Sequence, residues 1–223
     1  MAKERIGMIG PGRMGLAMVK HLVKAGYAVT ATDIDAGQLE KAADAGAATV
    51  ATAAEVGRVS DYVIIAVGFD EEVVGAVTGK DGLLGAMKPG GVIAVCSTAA
   101  PSTVIDLAAA AAARGIEVLD APICRGRWSA DEGTLLALLG GKPAVVERSL
   151  PVFRCFASDI EHLGEIGHGQ VGKAMNNYLL WVNGIALIEA GRLAQSTGID
   201  LPKLRKALLM SSGKSAALED WDL

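Results

Sequence analysis

A glycine-rich stretch near the start of the chain has the spacing of a phosphate-binding loop. Segment Gly10–Gly15 follows an apolar run and precedes a stretch with helical spacing of apolar residues. Its first glycine allows a tight turn, the second lets a diphosphate approach the backbone, and the third lets the helix pack against the strand. The free N–H groups at the helix start then face the phosphates. The predicted cofactor-binding residues here are Gly10, Pro11, Gly12, Arg13, Met14 and Gly15.

Asp33 ends a second apolar run, 18 residues after Gly15. A carboxylate at this point accepts hydrogen bonds from the ribose of a dinucleotide and repels a 2′-phosphate. The next residues, Ile34 and Asp35, offer no arginine that could hold such a phosphate. The sequence therefore predicts NAD as the cofactor in preference to NADP. The alternative is that Asp33 only caps the following helix.

Lys173, Asn176 and Asn177 are three and four residues apart in a stretch with helical spacing. Residues at these separations share one helix face, so the three side chains can converge on one pocket. Asparagine is a poor helix former, and two adjacent asparagines are unusual in a helix otherwise rich in Leu, Ile and Ala. The alternative is a surface lysine beside two capping asparagines.

The elements that would position these residues alternate between short apolar runs and helical patterns. Continuous apolar runs are typical of strands buried on both faces, and strand–helix–strand repeats predict a mainly parallel, doubly wound α/β sheet. The predicted strands are Arg5–Ile9, Ala28–Asp33, Tyr62–Val67, Val92–Cys96, Glu117–Asp120 and Leu135–Leu139.

The pattern changes after a glycine-rich joint at Gly164–Gly169. One long helix is predicted over Gln170–Ser196, and a second begins near Pro202, a residue suited to a first helical turn. We therefore expect a nucleotide-binding domain over residues 1–165 and a smaller all-helical part over residues 166–223. This helical part looks truncated, because the chain stops at Leu223 directly after the second helix.

Composition argues against several classes of protein. The chain has 21 Lys and Arg against 25 Asp and Glu, a net charge of −4 that predicts no binding to nucleic acid or to an anionic membrane. No apolar run reaches the length of a membrane span, and Met1–Arg5 leads straight into a strand, so no signal peptide is predicted. Three widely spaced cysteines indicate reduced thiols in a cytoplasm, and the three histidines have no metal-ligand spacing with them, so no metal is expected.

Three further stretches extend the pattern beyond dinucleotide binding. Ser97–Pro101 follows a predicted strand, Asp120–Ile123 leads through Gly133–Leu135 to a Gly-Gly pair, and Gly167–Lys173 is followed by Asn176-Asn177. Together with the first loop, this order of motifs resembles the β-hydroxyacid dehydrogenases. The resemblance covers the chain from about Ile6 to Asp220.

The resemblance implies a Rossmann-type domain and hydride transfer between nicotinamide and the carbinol carbon of a short hydroxy acid. It also implies that Lys173 is the acid/base that protonates the carbonyl oxygen on reduction. By the same resemblance Asn177 orients that oxygen, Asn176 contacts the substrate, and Thr98 lies against the nicotinamide ribose.

The substrate loop departs from the family pattern. Where the family carries Ser-Gly-Gly, this chain has Cys124, Arg125 and Gly126, the predicted substrate-binding residues. A thiol is a weak donor, but an arginine offers a planar fork of N–H groups to an anion, as in the sulfolactaldehyde reductase branch that it resembles. This predicts a small anionic aldehyde or hydroxy acid as substrate. The alternative is that Arg125 pairs with Asp131, Glu132 or the cofactor diphosphate.

A second departure is at Val67-Gly68, where the family often has Leu-Pro and the backbone lies along the cofactor. Both residues are predicted to contact the dinucleotide. The long helix is apolar on more than one face, which predicts a homodimer or higher homo-oligomer. Two other functions stay open: an imine-type reductase of the same architecture, in which the lysine is usually replaced, and a dinucleotide-binding module or incomplete enzyme without turnover.

Overall fold

The computed structural model describes residues 3–220. The chain divides into two compact units, the first ending at Lys173 and the second beginning at Ala174. The predicted boundary at residues 165 and 166 precedes a long helix, whereas this division lies within it. The predicted chain end at Leu223 lies outside the described residues.

The first unit is built on a nine-stranded sheet within residues 3–220. The strand order is β3-β2-β1-β4-β5-β6-β8-β7, with β9 paired to β8. Strands β1 to β6 pair in parallel, while β8 is antiparallel to β6 and β7 and parallel to β9. The strands are β1 Ile6–Ile9, β2 Val29–Thr32, β3 Ala48–Thr49, β4 Tyr62–Ile65, β5 Val92–Val95, β6 Glu117–Asp120, β7 Ile123–Cys124, β8 Leu135–Gly140 and β9 Ala157–Gly164.

Helices cover both faces of this sheet, which confirms the doubly wound α/β class. They are α1 Arg13–Lys24, α2 Ala36–Asp44, α3 Ala53–Val59, α4 Asp70–Thr78, α5 Pro101–Ala112, α6 Gly126–Glu132 and α7 Pro143–Phe153, with a 3₁₀ turn at Leu83–Gly85. Alternate residues of one strand enter different cores: Tyr62 and Ile64 pack with α1 and α7, whereas Val63 and Ile65 pack with α3, α4 and α5. All four are fully buried, as the continuous apolar run requires.

The second unit is helical. It contains most of α8 (His168–Ser196), then α9 (Leu201–Leu208) and the short α10 (Ala216–Glu219). Asp200 caps α9 by accepting a hydrogen bond from the Lys203 N–H, and Leu218 is buried within this unit. Helix α8 has exposed apolar side chains on several faces, at Val171, Met175, Tyr178, Leu179, Leu180, Trp181, Val182, Ile185, Ile188 and Leu193. No helix within residues 3–220 is long and apolar enough to cross a membrane.

Each of the six predicted strands is present, with ends that differ by no more than two residues. The predicted long helix begins two residues earlier, at His168, and the second predicted helix begins at Leu201. The sequence did not predict strands β3, β7 and β9. Strands β3 and β7 have only two residues each, and β9 carries mostly exposed polar side chains, so none has the apolar run used to identify the others.

Candidate functional site

A cleft of about 520 Å³ opens at the carboxyl ends of β1, β2 and β4. Strand β1 lies between β2 and β4, so the chain reverses its direction of winding at this point. Open α/β sheets bind ligands in the crevice at such a reversal. Gly10, Gly12 and Asp33 line the cleft, together with Val67 and Gly68. The structure thus brings together five of the predicted cofactor-binding residues.

The three glycines of the loop fit a dinucleotide diphosphate in three different ways. Gly10 has a φ of +82°, and a Cβ there would lie 2.7 Å from the Ala66 carbonyl oxygen. A Cβ at Gly15 would lie 2.2 Å from the Gly10 carbonyl oxygen, so only glycine lets α1 start this close to β1. At Gly12 a Cβ would meet nothing within 4 Å. Its missing side chain leaves room for a ligand and is not needed for packing.

The N–H groups in the first turn of α1 are not capped by a side chain. Gly12 is the N-cap residue, and no side chain caps the helix. The first N–H groups of a helix cannot bond within it, and they carry the positive end of the helix dipole. These groups border the cleft and fit a diphosphate. Within the loop, Pro11 is buried, Met14 is partly buried, and Arg13 is exposed.

Asp33 lies on the rim of the cleft, directly after β2, and is partly buried. Its Oδ1 accepts a hydrogen bond of 2.9 Å from the N–H of Asp35. The cap of α2 is Asp35, whose own side chain accepts from the N–H of Gly37. Asp33 is therefore not the helix cap that the alternative required, and its second carboxylate oxygen faces no protein donor within residues 3–220.

The loop after β4 lines the far side of the cleft, and the loop after β5 is bonded to it without lining the cleft itself. The N–H of Val67 donates to the Ser97 hydroxyl at 2.9 Å, which joins the loop after β4 to the loop after β5. The N–H of Gly68 donates to the Glu72 carboxylate at 2.8 Å. Thr98 is exposed between the buried residues Ser97 and Ala99. The loop thus presents Thr98 outward while its neighbours fix the backbone.

Lys173 lies against the predicted substrate loop. Its Nζ donates a hydrogen bond to the Sγ of Cys124 at 3.7 Å, across 49 residues of sequence. Lys173 is partly buried, and Cys124 is buried at the end of β7. The lysine and the loop residue that replaces the family serine are thus neighbours in the first unit.

Asn176 and Asn177 follow Lys173 in the same continuous helix, α8. The Asn176 Nδ2 donates to the Asn177 Oδ1 at 3.2 Å. Asn176 is exposed and Asn177 is partly buried. Both belong to the second unit.

Arg125 has an unusual backbone and a partner that the sequence did not suggest. Its φ is +82°, and it is the one non-glycine residue with positive φ among residues 3–220. Its Nη1 donates to the Thr134 carbonyl at 3.1 Å, the Ser158 hydroxyl at 3.0 Å and the Asp159 carboxylate at 2.5 Å. None of these was among the partners considered from the sequence. All three bonds use Nη1, so Nε and Nη2 have no hydrogen-bond partner within the described chain.

The ion pair between Arg125 and Asp159 is exposed to solvent, and its electrostatic effect is on the pKa of Asp159. The Ser158 hydroxyl, followed by the Arg125 guanidinium, holds the pKa of Asp159 below its usual value. Both side chains of the pair are about half exposed, at 42% and 51%. Gly126 follows with a φ of +69° and open space around it.

Asp120 carries a role that the sequence did not indicate. It is fully buried at the end of β6, where Oδ1 accepts from the Gly167 N–H at 2.7 Å and Oδ2 from the Gln170 N–H at 2.8 Å. Burial raises the pKa of Asp120, and the N–H bonds from Gly167 and Gln170 act in the opposite direction. The carboxylate therefore caps the start of α8 from 47 residues away. The motif containing Asp120 was visible, but its partner was not.

The described residues contain no group of three or more His, Cys, Asp or Glu side chains arranged to hold a metal ion. Cys96, Cys124 and Cys155 are free thiols. Burial raises the pKa of Cys96 to about 12.

Comparison with known proteins agrees with this geometry. Residues 5–164 match the NAD-binding domain of 6-phosphogluconate dehydrogenase, and residues 167–221 match the NAD-binding domain of NADP-dependent 3-hydroxyisobutyrate dehydrogenase. A relative named NAD-dependent L-serine dehydrogenase, from Pseudomonas aeruginosa, is 36% identical over 97% of this chain and 72% of its own length.

Solved structures show the same likeness. The Mycobacterium tuberculosis 3-hydroxyisobutyrate dehydrogenase described with L-serine is 31% identical, with a TM-score of 0.91 over 97% of this chain and 73% of that one. An imine reductase variant from Myxococcus stipitatus in complex with NAD⁺ has a TM-score of 0.85 over 94% of this chain and 72% of that one. At 22% identity it shares the fold alone. The glycine loop and these matches agree, and the chain belongs to the β-hydroxyacid dehydrogenase family, as an NAD(P)-dependent oxidoreductase that acts on CH–OH groups.

Proposed function

We propose that the chain interconverts a small β-hydroxy acid and the corresponding acidic semialdehyde, with Lys173 as the general acid/base. Nicotinamide, when bound, supplies or accepts the hydride. In the direction of reduction, the Lys173 Nζ gives a proton to the carbonyl oxygen, and the Asn177 amide holds that oxygen. Asn176 contributes a further polar contact to the substrate.

The observation that carries this proposal is the contact between Lys173 and the substrate loop. A proton donor must lie within hydrogen-bond reach of the oxygen that it serves. Because the Nζ lies 3.7 Å from the Sγ of Cys124, a substrate bound by the loop after β7 would place its oxygen near this amine. A surface lysine with capping asparagines would have no reason to approach this loop.

The anionic group of the substrate is the second part of the proposal. Gly126 and the first N–H groups of α6 offer backbone donors, and Arg125 keeps Nε and Nη2 available while Asp159 holds Nη1. A fork of guanidinium N–H groups recognises a planar carboxylate, and it also accepts a sulfonate or phosphate. Cys124 is buried at the end of β7, directly before this loop, and we propose that its thiol contributes to the same substrate pocket.

For the cofactor we propose NAD in preference to NADP, on the ground of Asp33. Its free carboxylate oxygen suits the 2′-hydroxyl of the adenosine ribose and opposes a 2′-phosphate. Replacing Asp33 by Asn removes the charge and keeps the hydrogen-bonding shape. We expect Asp33→Asn to raise kcat/KM for NADPH relative to NADH by about tenfold, since about 1.4 kcal/mol corresponds to that factor. An unchanged ratio in steady-state assays would remove the basis of the preference.

We also propose that the protein works in the cytoplasm as a homodimer or higher oligomer. Three free thiols suit a reducing compartment. The exposed apolar side chains of α8 need a covering surface, and a second copy of the chain supplies one. Light scattering after size exclusion should give at least twice the mass of 22.8 kDa. A single species with the mass of one chain, 22.8 kDa, would contradict the proposal.

The decisive experiment follows NADH oxidation with a panel of short aldehydes, both acidic and neutral. We expect turnover with acidic semialdehydes, a fall in kcat of about 10²- to 10⁴-fold for Lys173→Ala, and mainly a rise in KM for Arg125→Ala. The matched control is Lys142→Ala. The Lys142 amine donates a hydrogen bond to Glu117 at the start of β6, whereas the predicted substrate loop follows the end of that strand. This variant should keep the wild-type kcat.

Two results would favour the other candidate functions. Tight NADH binding without turnover on any aldehyde indicates a dinucleotide-binding module or an incomplete enzyme. Reduction of cyclic imines in preference to aldehydes indicates an imine-type reductase, and in that case Lys173→Ala would leave the rate nearly unchanged.

A further inference from the structure

The buried side chain of Gln170 makes hydrogen bonds to the residues before and after Thr98. Its Nε2 donates to the Ser97 carbonyl at 2.8 Å, and its Oε1 accepts from the Ala99 N–H at 3.0 Å. Only this orientation of the amide satisfies both backbone groups. Gln170 is 1% exposed, so no water can replace either bond. Thr98 is thereby held from its two neighbours by a single side chain.

The backbone of Gln170 is fixed as firmly as its side chain. Its N–H donates to Asp120 Oδ2 at 2.8 Å, and the carboxylate also accepts from Gly167. The start of α8 reaches this position only because glycine permits it: a Cβ at Gly169 would lie 2.4 Å from the Leu138 carbonyl oxygen. Gln170 thus joins the loop after β5 to the end of β6 through α8.

Lys173 lies three residues after Gln170 in α8, on the same side of the helix. A displacement of the first turn of α8 therefore moves the Lys173 amine by a similar distance. The same displacement would move Thr98, because Gln170 holds both of its neighbours.

We propose that Gln170 is a positioning residue that fixes the distance between the nicotinamide end of the cofactor, at Thr98, and the proton donor, Lys173. It touches neither the substrate nor the cofactor and acts through these two residues. The proposal rests on the proposed function for the role of Lys173 and on the family resemblance for the place of Thr98 beside the nicotinamide ribose, whereas the hold of Gln170 on the Thr98 loop is read from the geometry. A misplacement of about 1 Å at a reacting centre costs roughly 10²-fold in rate.

A buried hydrogen-bonded glutamine could also serve stability alone, and a matched control separates the two roles. Ser149 is fully buried in α7, accepts from the Tyr62 hydroxyl at 2.9 Å and donates to the Val145 carbonyl at 2.7 Å. Like Gln170, it satisfies two polar groups in the interior of the first unit. Ser149→Ala leaves the Tyr62 hydroxyl without its partner, as Gln170→Met leaves the Ser97 and Ala99 groups without theirs.

The test compares Gln170→Met with Ser149→Ala in three measurements on the full chain. Both variants should lower the melting temperature. Only Gln170→Met should lower kcat, by about 100-fold at saturating NADH and semialdehyde, while Ser149→Ala stays within about twofold of wild type. Gln170→Met should also weaken NADH binding by about tenfold and leave the binding of ADP-ribose, which lacks nicotinamide, within about twofold.

A second variant keeps the test open if Gln170→Met does not fold. Gln170→Glu retains the acceptor for Ala99 but loses the donor to Ser97 until its carboxyl is protonated. Its kcat relative to wild type should therefore rise as the pH is lowered. A ratio that stays equally low at every pH would contradict the proposal.

Two further outcomes would overturn the inference. One is a loss of kcat in Gln170→Met no greater than in Ser149→Ala. The other is an equal loss of affinity for NADH and ADP-ribose, which would show a general effect on the fold. If the wild type binds NADH and reduces no aldehyde, the proposed function fails. In that case the ratio of the two dissociation constants decides alone whether Gln170 holds the Thr98 loop.

Discussion

Helices α1 and α8 both begin at the carboxyl edge of the parallel sheet, and they differ in what meets their first N–H groups. At α1 the N-cap is Gly12, no side chain caps the helix, and the space beside the glycine is empty. At α8 the carboxylate of Asp120 accepts hydrogen bonds from Gly167 and Gln170 and is completely buried. The same positive helix end is open in one case and closed by the protein in the other.

The difference separates binding from positioning. The uncapped N–H groups of a helix start beside a cleft attract an anion from solution, so α1 suits a ligand that binds and dissociates reversibly. A helix start that already carries an internal anion gains nothing from a ligand and is held in place. Helix α8 is therefore suited to carry a side chain whose position must not change, and Lys173 lies in its second turn.

The largest effect should come from giving α1 the internal anion that α8 has. Gly12→Asp places a carboxylate at an N-cap whose backbone is extended and whose Cβ meets nothing. Aspartate is a slightly better cap than glycine, so the fold should gain about 0.3 kcal/mol of stability. The same charge repels the cofactor diphosphate, and we expect NADH affinity to fall by more than about 100-fold, as measured by fluorescence titration.

Gly12→Asn is the control for this variant, because it caps the helix without a charge. It should lose clearly less affinity than Gly12→Asp. Equal losses in the two variants would mean that steric blocking, and not the helix end, decides binding at this loop.

The second effect in size comes from opening α8. Asp120→Ala leaves the N–H groups of Gly167 and Gln170 buried without partners, which costs about 2–4 kcal/mol. For a chain of this size the melting temperature should fall by about 5–15 °C in calorimetry. ADP-ribose affinity, which depends on α1, should stay near the wild-type value at temperatures where the variant is folded. A stable variant would show that Asp120 does not hold the start of α8.

The smallest effect is a pH dependence that only the closed helix should show. Because burial raises the pKa of Asp120 in the folded state, the folded protein binds this proton more tightly than the unfolded chain. The contribution of this group to stability is therefore fully present below about pH 4, and it falls as the pH rises through the folded pKa. In urea unfolding, the wild type should lose more free energy of unfolding between about pH 4.5 and 7 than Asp120→Asn does. Parallel curves for the two proteins would contradict the raised pKa.

The fold could be predicted well where the residues of a segment themselves show its burial or its steric requirements. The run Tyr62–Ile65 is apolar because both faces of β4 are covered, and the glycine loop is identified by spacing because each glycine answers a local steric need. Strand β9 escaped prediction because it lies at the edge of the sheet beside β8, where its side chains face solvent.

The site was predictable in its parts but not in its connections. Lys173 and Cys124 were each identified by motif, yet their contact spans 49 residues and has no local signal. The contact of Gln170 with the loop after β5 also has no local signal, because its hydrogen bond to Ala99 spans 71 residues. From the sequence, the partners considered for Arg125 were Asp131, Glu132 and the cofactor diphosphate. The partner, Asp159, lies on β9, the strand that could not be predicted.

The backbone of Arg125 has a consequence for how this loop can change over evolutionary time. A left-handed φ costs a non-glycine residue roughly 1–2 kcal/mol relative to glycine. The bonds to the Thr134 carbonyl, the Ser158 hydroxyl and the Asp159 carboxylate offset part of that cost. Arginine at this position is thus favoured in part by a carboxylate 34 residues later. A lineage that lost the carboxylate would remove one reason to keep arginine over glycine, whereas one that returned to glycine first would leave Asp159 with the Ser158 hydroxyl as its hydrogen-bond donor.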